Sequence, residues 1–247
     1  MCRHLVYLGP PLRLAALLFD PPHSLVAQSF APRDMRGGGR INADGFGVGW
    51  YPAGAGTATR YRRDCPMWSD ANLRALAAAT SAGAVLAAVR NATAGLPVLE
   101  TAAAPFAEGR WLFSHNGAVT GWPDSMTGLA ANLPSRDLLT LDAPTDAALL
   151  WALVRHELRR GGDPTKSIVD TLRAVSEAAP GSRLNLLFTD GHTAVATTWG
   201  HALSVRTTTD SALISSEPLD DDPAWQAVAD RQLVVATAGR VEIAPLT

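Results

Sequence analysis

The pattern of apolar and polar residues predicts a group of strands, a central pair of helices and a second group of strands. Short apolar runs bounded by turn residues predict strands at 3–8, 45–51, 57–63, 84–90, 110–115, 184–189, 193–199, 203–207, 212–215, 232–236 and 241–243. Apolar residues spaced three or four apart predict helices at 12–19, 70–79, 146–160 and 164–179. This order favours an α+β protein with two antiparallel sheets covered by helices.

Glycine, proline and asparagine mark the predicted breaks between these elements. Gly9-Pro10-Pro11 is expected to end the first strand, and Asn116-Gly117 is expected to form a turn after the strand at 110–115. Residues 31–45 and 121–144 are expected to be long connections. No linker or repeat separates the elements, so the sequence predicts one domain.

Composition narrows the class of protein. Hydrophobic residues make up 47% of the 247 positions and charged residues 18%, which is enough for a substantial core. The formal net charge of −2 gives no basic field for nucleic acid. No signal peptide or membrane-spanning apolar run is recognisable, so a soluble, cytoplasmic protein without a membrane partner is expected. Neither CxxC nor HExxH occurs, and no metal or cofactor is predicted.

The second residue is a cysteine, and it could act as a nucleophile. Methionine aminopeptidase removes Met1 where the next residue is small, and removal would leave Cys2 with a thiol and a free α-amine. The amine can then accept the thiol proton without a separate histidine. Cysteine at this position also occurs by chance, so the residue needs partners elsewhere in the chain.

Four segments could supply those partners, and each has a plainer interpretation. Arg90 with Thr93 follows a buried strand and suits a carboxylate, although Arg90 could equally form a structural salt bridge. Asn116 with the N–H of Gly117 could form an oxyanion hole or an ordinary turn. Asp146 could bind an ammonium or only serve the start of its helix. The glycine-rich segment 37–49 lacks a phosphate-binding motif.

Several short motifs together resemble the class II glutamine amidotransferases. They are Met1-Cys2-Arg3, the segment Asn42 to Tyr51, Arg90-Asn91-Ala92-Thr93, His115-Asn116-Gly117 and Thr145-Asp146, in that order. The resemblance covers nearly the whole chain. It implies the N-terminal nucleophile hydrolase fold, a four-layer αββα sandwich, and a single domain of residues 2–247 once Met1 is removed.

The resemblance also implies a role for each candidate residue. Cys2 would be the nucleophile, and Asn116 with the N–H of Gly117 would be the oxyanion hole. Arg90 and Thr93 would hold the α-carboxylate of a glutamyl group, and Asp146 its α-ammonium. His115 has no necessary task in this chemistry and is interpreted as structural.

Two positions depart from the family pattern. Asn91 and Ala94 stand where synthase-linked relatives often have Trp and His, so the side facing the leaving group is expected to differ.

The segment Ser216-Glu217-Pro218-Leu219-Asp220-Asp221-Asp222 resembles the stand-alone branch of the family. Within that branch the chain looks most like the γ-glutamyl amidohydrolases of ergothioneine synthesis. This implies a small γ-glutamyl substrate whose leaving group carries a quaternary ammonium, for which tryptophans near the motifs are cation–π candidates: Trp50, Trp68, Trp111 and Trp122.

Two alternatives stay open. The chain could be a glutaminase of another substrate, or one that supplies ammonia to a partner, or it could be a catalytically silent binding protein on the same fold. Homo-oligomer formation is also left open, and Cys65 is expected to be an incidental thiol.

Overall fold

The computed structural model describes residues 2–36 and 41–246, and within these ranges the strands form two antiparallel sheets. The first sheet has seven strands, in spatial order Gln226–Ala227 (β11), Ser204–Thr207 (β9), Ala212–Ser215 (β10), Arg3–Arg13 (β1), Ser81–Val89 (β4), Phe46–Trp50 (β2) and Thr59–Arg63 (β3). The second has six, in the order Arg240–Pro245 (β13), Gln232–Thr237 (β12), Ala194–Thr198 (β8), Arg183–Thr189 (β7), Trp111–Ala118 (β6) and Phe106–Glu108 (β5).

Helices cover the outer face of each sheet. The described residues form the helices Ala15–Leu18 (α1), Leu25–Phe30 (α2), Leu73–Ala79 (α3), Thr127–Ala130 (α4), Ser135–Leu139 (α5), Asp146–Arg159 (α6) and Pro164–Ala178 (α7). Side chains of α1, α2 and α3 share a core with the first sheet, and those of α6 and α7 share one with the second.

A third core lies between the two sheets, and strand β1 shows how the sequence builds it. Leu5 and Tyr7 pack towards the helices of the first sheet, whereas Val6 and Leu8 pack between the sheets. Successive side chains of a strand point to opposite faces, so a strand buried on both faces reads as a continuous apolar run. The predicted four-layer αββα sandwich is confirmed.

The two long helices begin at side-chain caps. Thr145 Oγ1 accepts a hydrogen bond from Ala148 N at 3.2 Å, and Asp163 Oδ1 accepts one from Lys166 N at 2.8 Å. Such caps satisfy backbone N–H groups that have no partner in the first helical turn. The predictions at 146–160 and 164–179 therefore agree with α6 and α7 to within one residue at each end.

The prediction that Gly9-Pro10-Pro11 ends the first strand is wrong. β1 continues to Arg13, and its pairing with β4 shifts register between Leu8 and Leu12. A bulge accommodates prolines because it removes backbone N–H groups from the ladder. The predicted helix at 12–19 consequently shrinks to α1.

The predicted turn at Asn116-Gly117 is also wrong. Both residues lie inside β6, where they pair with Asn185 and Leu184 of β7. Tertiary pairing of the strands outweighs the local turn preference of this dipeptide. The prediction missed the short elements α2, α4, α5, β5 and β11.

Candidate active site

Strand pairing brings Cys2 next to the segment that contains Arg90. Arg3, the first residue of β1, pairs with Val89, the last residue of the antiparallel strand β4. Cys2 and Arg90 therefore lie at the same end of the sheet. The half-buried thiol of Cys2 points towards Asn91, with Sγ 3.8 Å from the carbonyl oxygen.

Arg90 is held by backbone carbonyls rather than by an acid. Its Nη1 donates to the oxygen of Pro97 at 3.0 Å and to that of Asp44 at 3.5 Å, and the residue is only 8% exposed. No carboxylate of residues 2–36 or 41–246 forms an ion pair with it, so the structural salt bridge is not found there. A buried guanidinium without a carboxylate keeps its charge available for an anionic ligand.

Asp44 shapes the same segment from the opposite side. Its Oδ2 accepts a hydrogen bond from Ala92 N at 2.8 Å, and its backbone N–H donates to Arg90 O at 3.0 Å. These bonds fix the irregular segment between Arg90 and Thr93. Thr93 is exposed and lines the pocket described below.

Asp146 begins helix α6 and is buried. One carboxylate oxygen accepts from Val119 N at 3.0 Å and the other from Ala147 N at 2.8 Å. Each oxygen has a second lone pair, so the orientation is fixed while capacity for an ammonium group remains. Asp146 thus accepts a hydrogen bond from the first turn of its own helix and can also bind a cation.

Asn116 carries a buried amide with no hydrogen-bond partner among the described residues. It is 1% exposed, and neither its side-chain nitrogen nor its oxygen is bonded there. Alternation along β6 places it on the same face as Ser114, whose Oγ lies 3.1 Å from His4 Nδ1. Leaving a buried polar group unpaired costs about 1–3 kcal/mol, so such a group calls for an explanation.

Gly117 follows Asn116 and lies where no side chain fits. A Cβ atom at this position would be 1.8 Å from Arg183 O and 2.6 Å from His115 Nε2. His115 itself lies 3.0 Å from Arg183 O through Nε2, which suits the structural role predicted for it.

One pocket brings five of the six predicted site residues together. Its lining includes Cys2, Arg90, Thr93, Gly117 and Asp146. Asn116 does not line this pocket and lies one residue before Gly117. Small and apolar side chains complete much of the wall: Ala88, Leu96, Ala102, Ala104 and Phe106.

Two neutral histidines lie behind this site between the sheets. Burial, reinforced by nearby cationic groups, lowers the pKa of His4 to about 3 and that of His201 to about 3. His4 Nε2 and His201 Nδ1 have no partner among the described residues. His4, with its partner Ser114, was missed by sequence reasoning.

The four tryptophans suggested for a quaternary ammonium do not line the pocket. Trp50, Trp111 and Trp122 pack against the cores of the sandwich, and Trp68 is 42% exposed beside Phe30. These positions could not be predicted, because apolar spacing does not distinguish a core tryptophan from a site tryptophan.

Among the described residues, no cluster of three or more His, Cys, Asp or Glu side chains could hold a metal ion. The described helices are all too short or too polar to span a membrane. Residues 37–40 of the glycine-rich segment, like Met1, lie outside the described residues.

This chain has two stacked antiparallel sheets covered by helices, and a cysteine lies just before the central strand of one sheet. This arrangement is that of the N-terminal nucleophile hydrolase class. The family model for class-II glutamine amidotransferases matches residues 13–209. The chain belongs to this family.

Individual relatives extend the comparison. The gamma-glutamyl-hercynylcysteine sulfoxide hydrolase of Mycolicibacterium smegmatis is 42% identical over 246 residues, which is 100% of both chains. The structure of a glutamine aminotransferase class-II domain protein from Silicibacter pomeroyi matches with a TM-score of 0.71 and 25% identity over 99% of each chain. Glutamine phosphoribosylpyrophosphate amidotransferase from B. subtilis has a TM-score of 0.69 at 13% identity. That match covers 100% of this chain and 49% of the other, and it supports the fold alone.

Proposed function

We propose that the protein hydrolyses the γ-glutamyl amide of γ-glutamyl hercynylcysteine S-oxide, releasing glutamate and hercynylcysteine S-oxide in ergothioneine synthesis. The observation that carries this proposal is the convergence of Cys2, Arg90 and Asp146 in one pocket. The similarity to the M. smegmatis hydrolase over the full length of both chains supports the choice of substrate.

The glutamyl half of the substrate is bound by its two charged groups. Its α-carboxylate binds the guanidinium of Arg90 and the hydroxyl of Thr93, and its α-ammonium binds Asp146. The fixed positions of the cation Arg90 and the anion Asp146 orient the γ-carbonyl towards Cys2. They also select a glutamyl group whose α-carboxylate and α-amine are both free. The apolar wall around Phe106 packs against the methylene groups between them.

The active form starts at Cys2 after removal of Met1 and comprises a single domain of residues 2–247. The α-amine of Cys2 accepts the thiol proton, and Sγ attacks the γ-carbonyl carbon. The side-chain amide of Asn116 and the N–H of Gly117 stabilise the negative oxygen of the tetrahedral intermediate. The protonated α-amine of Cys2 then gives its proton to the leaving nitrogen as the C–N bond breaks. This step leaves the glutamyl group as a thioester on Cys2.

Water completes the reaction. The free α-amine of Cys2 accepts a proton from a water molecule, and the oxygen of this water attacks the thioester carbon. The second tetrahedral intermediate collapses, the C–S bond breaks, and the proton returns to Cys2 Sγ as glutamate leaves. This cytoplasmic reaction on a small molecule uses no metal, cofactor or nucleic acid.

Mass spectrometry and a comparison of substrates test the proposal. The intact mass should lack Met1, since an amide nitrogen at Cys2 cannot act as the base. The γ-glutamyl conjugate should be hydrolysed with a higher kcat/KM than glutamine. Faster turnover of glutamine would instead favour a glutaminase, and retained Met1 in an active preparation would refute the role of the α-amine.

The nucleophile is tested by two matched cysteine variants. Cys2→Ala removes the only group that forms the thioester, so kcat should fall by at least about 10³-fold, the order seen when an essential nucleophile is removed. Cys65→Ala should keep wild-type kcat, because Cys65 packs against the core of the first sheet and does not line the pocket. Full activity of Cys2→Ala would rule out the mechanism.

A further inference from the structure

The chemistry proposed above gives no role to the buried acid Glu217. Glu217 follows strand β10 and is 2% exposed. Its Oε1 lies 2.9 Å from Arg3 Nε and 2.9 Å from Arg3 Nη2, and its Oε2 lies 2.6 Å from His23 Nε2. Arg3 is the residue next to Cys2.

Glu217 also binds the chain that follows helix α2. Its Oε2 accepts a hydrogen bond from Arg33 N at 2.8 Å, and its Oε1 accepts one from Asp34 N at 3.2 Å. Burial alone would raise the pKa of the Glu217 carboxyl, but the hydrogen bond with His23, these backbone bonds and the charge of Arg3 together keep it below its usual range. The carboxylate is therefore ionised, and its oxygens join strands β1 and β10 to the 33–34 segment.

Arg3 connects Glu217 to Cys2 by hydrogen bonds to both residues. While one side of its guanidinium binds Glu217, Nη1 donates to the carbonyl oxygen of Cys2 at 3.2 Å and Nη2 donates to that of Asp34. The planar fork of arginine fixes the direction of each of these bonds. The carbonyl of the nucleophile's own residue is thus held by a side chain that Glu217 orients.

The stability of the fold alone does not explain why Arg3 and Glu217 form a buried ion pair. Desolvation largely offsets the attraction between buried charges, so such pairs contribute little net stability. An apolar pair of the same size could pack between strands β1 and β10, although it would leave the N–H groups of Arg33 and Asp34 without an acceptor. It would not bind the carbonyl of Cys2, however, and Arg3 without Glu217 would place an uncompensated charge beside the α-amine.

We infer that Glu217 is a positioning residue for Cys2 and that it acts through Arg3. The inference rests on the proposed function, because it requires Cys2 to be the nucleophile. Holding the Cys2 carbonyl sets the direction of both the thiol and the α-amine towards the γ-carbonyl. A misplacement of about 1 Å costs up to roughly 100-fold in rate.

Steady-state kinetics of Glu217→Gln provide the test. This variant keeps the size of the side chain but loses its charge and one acceptor. We expect kcat for the γ-glutamyl conjugate to fall roughly 10- to 100-fold. KM should change less than about threefold, since Arg90, Thr93 and Asp146 are untouched. The rate of alkylation of Cys2 by iodoacetamide, followed by mass spectrometry across pH, should change in parallel with kcat.

Asp221→Asn is the matched control. Asp221 lies four residues further along the same segment, and its side chain is 82% exposed in an ion pair with Arg33. This variant also removes one carboxylate and should keep wild-type kcat, KM and alkylation profile. Wild-type kcat in folded Glu217→Gln would overturn the inference, whereas full activity of Cys2→Ala would overturn the proposed function on which it rests.

A second variant covers the case in which Glu217→Gln does not fold. Arg3→Lys keeps the positive charge beside Glu217, but a single ammonium cannot reproduce the fork that reaches the Cys2 and Asp34 carbonyls. We expect the same loss of kcat with little change in KM. An Arg3→Lys protein with wild-type kcat and wild-type alkylation of Cys2 would also overturn the inference.

Discussion

Two asparagines that face each other across strands β6 and β7 have opposite hydrogen-bonding environments. The amide of Asn116 has no partner among the described residues. Asn185 is fully used: Nδ2 donates to the oxygen of His201 at 3.1 Å, and Oδ1 accepts from the backbone N–H groups of Trp199 at 2.8 Å and His201 at 3.2 Å. Asn185 maintains the fold through its hydrogen bonds, whereas the amide of Asn116 has unused hydrogen-bonding capacity.

This contrast predicts opposite effects of the same substitution. Asn116→Ala should lower kcat roughly 100- to 1,000-fold, the usual cost of losing an oxyanion donor. Its free energy of unfolding should stay within about 1 kcal/mol of wild type or rise, because an unpaired buried amide is removed. Urea denaturation and steady-state kinetics on the same preparation measure both quantities.

Asn185→Ala is the matched control for that variant. It leaves buried backbone donors and acceptors unpaired, so the free energy of unfolding should fall by about 2–3 kcal/mol. If Asn116→Ala lost as much stability as Asn185→Ala while keeping its kcat, Asn116 would be a structural residue.

The site residues differ in how readily they can be predicted from the sequence. Arg90 could be found because a charge directly after a buried strand is unusual. Glu217 carries a weaker form of this signal, because Ser215 and Ser216 separate it from the apolar run 212–214. His4 could not be found in this way, because nothing in the sequence shows that its side chain meets Ser114 of the other sheet.

At the level of elements, Gly117 determines how closely β6 and β7 approach each other. No side chain can be added there without moving the backbone of Arg183, 1.8 Å from an added Cβ. Gly128 in helix α4 offers the opposite environment, since an added Cβ would meet nothing within 4 Å.

Substituting alanine at these two glycines should therefore give changes of opposite sign. Gly117→Ala should lower the free energy of unfolding by at least about 3 kcal/mol through overpacking. Gly128→Ala should raise it by about 0.5–1 kcal/mol, because alanine loses less backbone entropy in a helix. Urea denaturation measures both changes, and a neutral Gly117→Ala would mean that β6 and β7 can separate at no cost.

Elements were predictable from sequence where local pattern and tertiary packing agree. Helices α6 and α7 combine apolar spacing with capping residues, and their ends were correct to within one residue. Strand β1 and the Asn116-Gly117 pair show the opposite case. There the chain carries local signals for a break, and pairing with β4 and β7 keeps it extended.

At the scale of the whole molecule, the space between the sheets contains imidazoles that take up a proton only at low pH. His4 is 0% exposed and His201 is 2% exposed, and the pKa of each is lowered to about 3. In the unfolded chain an imidazole has a pKa near 6.5. Between these values the unfolded chain binds protons that the folded protein does not.

Stability should therefore decrease as the pH falls below about 6.5. Each of the two histidines contributes up to one proton, which corresponds to about 1.4 kcal/mol for each pH unit. The contribution is fully present above pH 6.5 and is lost progressively towards pH 3. Urea denaturation at pH 7.5, 6.5 and 5.5 measures the slope.

His4→Gln and His201→Gln should each reduce that slope by about one proton. Glutamine retains polar atoms but does not titrate in this range. If the curves of both variants ran parallel to that of the wild type, the two imidazoles would not be the source of the acid sensitivity.

The pairing of β1 with β10, and of Arg3 with Glu217, has a consequence for how the protein is made. Every residue proposed to act on the substrate belongs to the first 146 positions, yet the carboxylate of Glu217, proposed to position Cys2, is separated from Arg3 by 214 positions. At about 5–20 residues per second, a ribosome needs roughly 10–40 s to travel that distance. During this time the first strand has left the ribosome without its neighbour β10, and its amino end is accessible for the proposed removal of Met1. On these proposals, removal of Met1 would precede the positioning of Cys2, and a chain that stops before residue 217 would contain the proposed catalytic residues without Glu217.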